Sequence, residues 1–258
     1  MAYISDGGTP LDLNADLGEG FGPYRISDDD AILPYITSAN VACGFHAGDP
    51  QIMSNTVKKL QALGIRIGAQ VGYRDIFGFG RRRQDISPDD LSDDISYQIG
   101  ALYAISAKHD ATISYVKPHG ALYNRCFSDH EQSAAVVNSV YDFDRDLYIL
   151  TQPGSALAFE ANRRGIKTLH EGFCDRRYLS DGTLAPRSEE DSVIKDPTLA
   201  ANQAQALAQG FDLPHPSAWK PTATIDSLCV HSDTTGAPEI LAAVKKRLSS
   251  IGITVKAP

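Results

Sequence analysis

The chain lacks a long apolar run and a cysteine pair. No apolar stretch approaches the ~18 residues of a membrane span, and no basic segment followed by an apolar core stands near the start. Four cysteines are present, widely spaced and without a Cys-x-x-Cys pair, which argues against a zinc ribbon or a disulfide framework. We therefore expect a cytoplasmic protein that does not enter the membrane, with reduced thiols.

Positive charge is also scarce. The formal net charge is −8 in 258 residues, whereas binding to nucleic-acid phosphates needs clustered excess cations. Hydrophobic residues make up 42% and charged residues 22%, so a soluble chain with a large core is expected. We interpret this composition as excluding nucleic acid as a partner. It is compatible with an enzyme that acts on a small molecule.

Two nucleotide-binding motifs are missing. Gly18, Gly20 and Gly22 do not have the Gly-x-Gly-x-x-Gly spacing, and Pro23 rather than a helix follows them. No Gly-x-x-x-x-Gly-Lys-Ser/Thr phosphate loop occurs either. A Rossmann domain is therefore disfavoured, and any nucleotide would have to be held in some other way.

What the chain does contain is an alternation of short β-prone runs with amphipathic helices. Asp49 and Ser87 are N-cap residues, each followed by proline, and Gly64 is a helix stop. Counting these units predicts a distorted (β/α) barrel with seven or eight strands, the eighth at 253–255. We assign residues 1–258 to a single domain, with 1–9 as a loose tail.

Polar residues recur just after the predicted strands. In a barrel, the carboxyl ends of the strands meet at one mouth, and packing alone does not explain so many ionisable or amide groups there. The groups at these positions are Asn14, Asp16, Glu19, His46, Asp49, Gln70, Asp75, Lys117, His119, Glu171, Asp175, His231 and Asp233. The sequence thus predicts a catalytic or binding site at the mouth.

The run 117–120 is the sharpest of these clusters. Pro118 fixes one backbone angle and Gly120 permits a tight bend, so Lys117 and His119 are presented together. Lysine could neutralise a phosphate or carboxylate, and histidine could move protons near neutral pH. A structural turn with a solvated lysine is the alternative.

The residues at the mouth and in the long loops include types that bind metal ions and types that bind anions. Asp16, His46 and His119 are of the types that hold a divalent metal and activate water, although no His-x-x-x-His pair arranges them in advance, so a metal site stays a minority interpretation. The two long loops contain arginines that could clamp an anionic substrate or a phosphate or could simply be solvated: Arg81, Arg82, Arg176 and Arg187.

Long motifs recur in order along nearly the whole chain. They are Asp12 to Glu19, Thr37 to Pro50, Gly78 to Arg82, Tyr97 to Leu102, Val116 to Asn124, Asp175 to Tyr178, Asp181 to Arg187 and Cys229 to His231. With these motifs the chain resembles the LamB/YcsF family. The resemblance implies a barrel of the glycoside hydrolase/deacetylase type and ATP-dependent opening of the 5-oxoproline lactam to glutamate, by an A subunit that acts with separate B and C subunits.

The chemistry that the resemblance implies accounts for the polar residues at the mouth. An unstrained lactam is a poor electrophile, so phosphorylating its amide oxygen would activate it for attack by water. We assign catalysis to Asp16, His46, Lys117 and His119. Substrate or phosphate binding is assigned to Asn14, Glu19, Asn40, Gln70, Tyr73, Arg81, Arg82, Asp175, Arg176, Arg187 and His231.

Two departures from the family pattern leave alternatives open. Gln70 stands where the family usually has a histidine, and Ser232 stands where it tends to have glycine. Glutamine does not exchange protons near pH 7. A divergent amide hydrolase or metal-dependent deacetylase without ATP, and a non-catalytic scaffold subunit, therefore remain as alternatives, as do the preferred lactam and a homo-oligomeric state.

Overall fold

The computed structural model describes residues 10–214 and 219–258, so the tail expected at 1–9 lies outside the described residues. Its centre is a closed barrel of seven parallel strands that pair in chain order, and β7 returns to pair with β1. The strands are β1 (Asp12–Leu17), β2 (Ser38–Ala42), β3 (Arg66–Val71), β4 (Ile113–Pro118), β5 (Tyr148–Thr151), β6 (Thr168–Phe173) and β7 (Ser227–Cys229). The predicted distorted (β/α) barrel is confirmed.

Helices connect the strands and cover the outside of the barrel. They are α1 (Asp29–Ile32), α2 (Pro50–Leu63), α3 (Pro88–Lys108), α4 (Gly120–Arg125), α5 (His130–Phe143), α6 (Ala156–Arg164), α7 (Pro197–Gln209) and α8 (Ala237–Ser250). The caps expected from the sequence are present, since the Asp49 carboxylate accepts from two backbone N–H groups of α2 and the Ser87 hydroxyl accepts from one of α3.

The eighth strand predicted at 253–255 is wrong. Val255 makes a single parallel bridge to Leu11, at the end of β1 remote from the mouth. The segment bonds to the N–H and C=O of Leu11, on the edge of β1 that β2 occupies from Asn14 onward, and the other edge of β1 is paired with β7. A barrel that closes after seven strands leaves no ladder for an eighth.

Alternation along β1 separates the outer core from a polar barrel interior. Leu13, Ala15 and Leu17 belong to the main apolar core, which also contains the buried face of α3. Asp12, Asn14 and Asp16 lie on the opposite face of the strand and bond to side chains of the neighbouring strands β7 and β2. The side chains that build a site therefore already point into the barrel, towards its mouth.

An aromatic ring fills part of this interior. The Tyr115 ring lies against Gly68, where an added Cβ would come within 2.1 Å of a ring carbon. The Tyr115 hydroxyl donates to Asn40 Oδ1 at 2.7 Å and so fixes an amide below the mouth. Within residues 10–214 and 219–258, no helix is both long and apolar enough to cross a membrane.

Candidate active site

A cavity of about 260 Å³ opens at the mouth, beyond the carboxyl ends of the strands. Its size suits a ligand no larger than a small metabolite, because pockets for drug-sized ligands run from about 300 to 1,000 Å³. Of the residues assigned to the site from the sequence, the following line it: Asp16, Gln70, Arg81, Lys117, His119, Arg176, Arg187 and His231. The mouth thus brings together residues that are up to 215 positions apart in the chain.

Lys117 is the cation at the floor of the cavity. Its ammonium donates to Glu171 Oε1 at 2.6 Å and to Asn14 Oδ1 at 3.3 Å, and it lies 3.6 Å from Asp16 Oδ1. Burial by itself lowers the pKa of Lys117, but the neighbouring Cys229 sulfur and the carboxylates of Glu171 and Asp16 outweigh it and hold that pKa well above its usual value. Lys117 is therefore a permanent cation and not a base.

Asp16 remains an anion on the same floor. Burial raises the pKa of Asp16, but Lys117 and the Asn40 amide lower it by more than burial raises it. The pKa of Asp16 therefore lies below the usual aspartate value. Asn40 Nδ2 donates to Asp16 Oδ1 and to Asn14 Oδ1, both at 2.8 Å. Asn14 and Asn40 lie below the cavity in the barrel interior, where they fix the charged groups.

Two imidazoles stack beside this floor. The rings of His46 and His119 have centroids 3.9 Å apart and planes 9° apart. Gly80 makes this arrangement possible, because an added Cβ would lie 2.7 Å from Cβ of His46 and 2.9 Å from Cδ2 of His119, and its φ of +66° also favours glycine. Burial lowers the pKa of both histidines well below the usual value, so both rings are neutral at pH 7.

Gln70, the departure from the family pattern, contacts one of these rings. Its Oε1 lies 3.0 Å from His46 Nε2 and can only accept, so that nitrogen carries the proton. The amide nitrogen of Gln70 is buried and has no hydrogen-bond partner within the described residues, and Gln70 lines the cavity. It is a hydrogen-bond donor available to a ligand.

Glu19 lies behind the imidazoles and does not line the cavity. Its Oε2 accepts from the Ser232 hydroxyl at 3.1 Å, and its Oε1 is 3.6 Å from His119 Nδ1. Burial and the nearby Asp16 and Asp233 carboxylates raise the pKa of Glu19 well above its usual value. Ligand-type atoms of Glu19, His46 and His119 lie within 4.8 Å of one another, so Glu19 takes the place that the sequence had given to Asp16 in a candidate metal group.

Three guanidinium groups form one wall of the cavity, which we call the arginine wall: Arg81, Arg176 and Arg187. Asp233 is a shared partner, with its Oδ2 at 2.6 Å from Arg81 and 3.5 Å from Arg187. Arg176 is buried and donates to the backbone oxygens of Ala185 and Ser192, and burial together with Arg187 lowers its pKa to about 10. Positive charge therefore exceeds negative charge at this wall, as an anionic ligand requires.

His231 completes the lining, and Asp175 holds it. Asp175 Oδ1 accepts from His231 Nδ1 at 3.0 Å, and its Oδ2 accepts from Thr234 at 2.6 Å. Burial raises the pKa of Asp175, but His231 and Thr234 bring it down to about 2. The His231 ring also stacks on Phe173, with centroids 5.3 Å apart. Asp175 therefore orients His231 and does not face the cavity.

Two residues assigned to ligand binding lie elsewhere. The Tyr73 hydroxyl is buried and donates to Gln132 Oε1 at 3.2 Å. Arg82 pairs with Asp75, and its side chain is 66% exposed outside the cavity lining. Conversely, sequence reasoning assigned Glu171 no role beyond its position after a predicted strand, although it is fully buried and is the nearest partner of Lys117. The only sequence feature that indicated a role for Glu171 was its carboxyl group near the end of β6.

Comparison with known proteins places this site in context. The LamB/YcsF family model matches residues 11–258. The chain is 45% identical over 247 residues to a protein of Mycobacterium marinum that is named as the A subunit of 5-oxoprolinase, covering 96% of this chain and 98% of that protein. It is 43% identical over 248 residues to a protein of the same name from Symbiobacterium thermophilum, covering 96% and 95%.

A solved structure is similar throughout. The crystal structure of a "lactam utilization protein" from Thermus thermophilus superimposes with a TM-score of 0.89 at 38% identity, covering 96% of this chain and all of the other. At this TM-score and coverage the two chains share the same fold.

Proposed function

The chain belongs to the LamB/YcsF family, and on that premise we propose that it opens the lactam of 5-oxoproline to glutamate as the A subunit of a 5-oxoprolinase. The reaction consumes ATP and water, releases ADP and phosphate, and requires separate B and C subunits. The proposal is supported by relatives whose names state this role and by a related structure named for lactam utilization.

One observation supports this substrate above all. The cavity is small and combines an excess of guanidinium groups with a buried ammonium and a neutral imidazole. 5-Oxoproline has one carboxylate and one amide in a five-membered ring. Its carboxylate suits the arginine wall, because guanidinium forks match carboxylate oxygens. Its amide then lies towards Lys117, His119 and the free amide nitrogen of Gln70.

The arginine wall also suits a phosphorylated intermediate. An unstrained lactam is a poor electrophile, and transfer of a phosphoryl group to its carbonyl oxygen makes the carbon open to attack by water. The intermediate carries a carboxylate and a phosphoryl group. Three guanidiniums balanced by Asp233 leave positive charge for both.

Proton transfer falls to the imidazoles. Water loses a proton as it attacks, and the lactam nitrogen gains one as the ring opens. Neutral His119 lines the cavity and can accept a proton, whereas Lys117 stays charged and stabilises negative charge on the carbonyl oxygen. Asp16 orients the ammonium and the incoming groups from the floor.

The experiment mixes the protein with 5-oxoproline, with or without ATP and the B and C subunits, and measures glutamate and phosphate. We expect glutamate only when all components are present. Pyrrolidinone, the same ring without a carboxylate, should react at least about tenfold more slowly, because a charge-assisted bond contributes roughly 1.5–3 kcal/mol.

Other outcomes contradict the proposal in distinct ways. Amide hydrolysis with a metal ion and no ATP would point to a metal-dependent hydrolase or deacetylase. Glutamate formation that is unchanged when Asp16, His46, Lys117 or His119 is substituted would point to a scaffold role. Arg187→Met, which removes one guanidinium of the arginine wall, should slow glutamate formation in the same assay. Arg83→Met is its matched control and should not, because Arg83 is largely exposed and lies outside the cavity lining.

A further inference from the structure

The outward face of the long helix α3 is unusual for a surface that meets only solvent. Two tyrosine rings stand on it, with Tyr97 66% and Tyr103 57% exposed. Tyr97 stacks on Phe45 with ring centroids 5.2 Å apart, and Tyr103 contacts Phe143 at 5.4 Å, so both rings are held in place. The other residues on this face of the central turns are small: Ser96, Gly100, Ala104 and Ala107. Exposed aromatic rings grouped on one face indicate a contact with another protein.

Gly100 lies at the middle of this face, and nothing in the described part of the chain requires a glycine there. An added Cβ would meet no atom within 4 Å beyond its chain neighbours and its own helix backbone, and its φ is not positive. Glycine is a poorer residue than alanine inside a helix. Because glycine lets a second helix approach closely, its presence here indicates a neighbour from outside this chain.

The residues on this face are arranged symmetrically about Gly100. In a helix with about 3.6 residues per turn, Tyr97 and Tyr103 lie at equal angles on either side of Gly100. Ser96 and Ala104 likewise lie one turn before and one turn after it. A face with this symmetry is complementary to a second copy of itself that runs in the opposite direction.

Two antiparallel copies of α3, with Gly100 against Gly100, place each large residue against a small one. A two-fold axis midway between the helices reverses the height of each residue along the contact and keeps it on the same side. Tyr97 of one copy then lies against Ala104 of the second copy, and Tyr103 lies against Ser96. This fit of rings against small residues allows the helix axes to come within about 8–10 Å.

The charges at the two ends of α3 favour the same arrangement. Asp90 and Asp93 are exposed near the start of the helix, and Lys108 is exposed in its last turn. In antiparallel copies, Lys108 of one copy comes opposite Asp90 of the other at both ends of the contact. Parallel copies would instead bring carboxylates together at one end and ammonium groups at the other.

We propose that the outward face of α3 is the contact surface of a two-fold symmetric homodimer of this chain. The helix begins near the mouth, because the loop before it leaves the carboxyl end of β3. Antiparallel α3 helices therefore direct the two mouths in opposite directions. The contact covers the side of each barrel and leaves both mouths open to substrate and to other subunits. This pairing does not depend on the proposed function.

The first test is the mass of the full chain in solution, without other subunits. Sedimentation at micromolar concentration should give twice the mass of one chain. Ala104→Lys, on the contact, should give the mass of a single chain, whereas Ala62→Lys, on the exposed side of α2, should leave the dimer intact. Thermal melting followed by circular dichroism checks that both variants are folded.

Cross-linking tests the position of the two-fold axis and needs no disruptive substitution. Facing Cα atoms of two closely packed helices are about 3.5–5.5 Å apart, which overlaps the range that a disulfide spans. The four natural cysteines are buried. Oxidised glutathione should therefore link two copies of Gly100→Cys through one disulfide and should not link two copies of Ala62→Cys.

Charge exchange tests the direction of the helices. Lys108→Glu should weaken dimerisation by about 2- to 30-fold, because an exposed ion pair is lost at each end, and adding Asp90→Lys should restore it. A monomeric wild-type protein, a dimer that Ala104→Lys leaves intact, or equal cross-linking at both positions would overturn the proposal. A monomeric wild-type protein whose binding to the B or C subunit is lost in Ala104→Lys would assign this face to that subunit instead.

Discussion

Removing the buried ammonium of Lys117 should destabilise the fold more than any exposed charge change. In Lys117→Met the chain keeps a side chain of similar length, but the Glu171 and Asp16 carboxylates lose a cation at 2.6 and 3.6 Å. Breaking a buried pair by removing one partner costs about 3–5 kcal/mol, because the remaining charge stays buried. That is a large part of the ~5–15 kcal/mol by which domains are stable.

The assay is urea unfolding followed by circular dichroism at pH 7.5. Lys58→Met is the matched control, since Lys58 is exposed on α2, and it should change the free energy of unfolding by less than about 0.5 kcal/mol. The double variant Lys117→Met/Glu171→Leu should regain at least about 2 kcal/mol, because replacing both members of a buried pair with apolar groups is often neutral.

Activity separates the chemical role of Lys117 from its structural role. The double variant should be stable and yet form glutamate at least about 100-fold more slowly, since it lacks the charge that stabilises the carbonyl oxygen. A loss of stability in Lys117→Met no greater than in Lys58→Met, or full activity in the double variant, would refute the reasoning.

Four further predictions follow from the site. His119→Asn should slow glutamate formation by about 10²- to 10⁴-fold, as expected for a proton-transfer group, whereas His130→Asn on the exposed face of α5 should not; equal rates would remove His119 from the mechanism. Because the folded pKa values of His46 and His119 are lowered, the unfolded chain binds protons below about pH 6.5 that the folded chain does not. The free energy of unfolding should therefore fall as pH drops below 6.5, by up to about 2.7 kcal/mol per pH unit for the pair, and less steeply in His119→Asn; identical slopes in urea titrations would contradict this. Gly80→Ala should lower stability by about 1–3 kcal/mol, because its Cβ would press on both rings at a positive φ, and an unchanged denaturation midpoint would show that the rings can move. Arg176→Met should raise KM for 5-oxoproline about tenfold or more without a matching change for pyrrolidinone, and an equal effect on both lactams would exclude a contact with the carboxylate.

The fold could be predicted because its signals are local. Asp49 and Ser87 mark helix starts and Gly64 a helix end, and apolar spacing supplies the rest. The eighth strand could not be excluded from sequence, because only the pairing of β1 with both β2 and β7 denies Val255 a partner strand. The short helix α4 gave no sequence signal either, since a helix of six residues has no amphipathic repeat.

Residue types at the mouth could be predicted, but their grouping could not. Position after a strand predicted that Asp16, Lys117 and His119 would lie near one another. The carboxylate beside the imidazoles was expected to be Asp16, but it is Glu19. Its identity depends on the conformation of a loop, which the sequence pattern does not describe. Tyr73 turns towards Gln132 because the chain has left its strand, and no periodicity describes its direction there.

The bridge between Leu11 and Val255 has a practical consequence for handling the protein. It brings the two ends of the described chain together on the face opposite the cavity. An affinity tag or a surface tether attached near either end would leave the opening unobstructed. A circular permutant that joins these ends with a short linker should likewise retain ligand access.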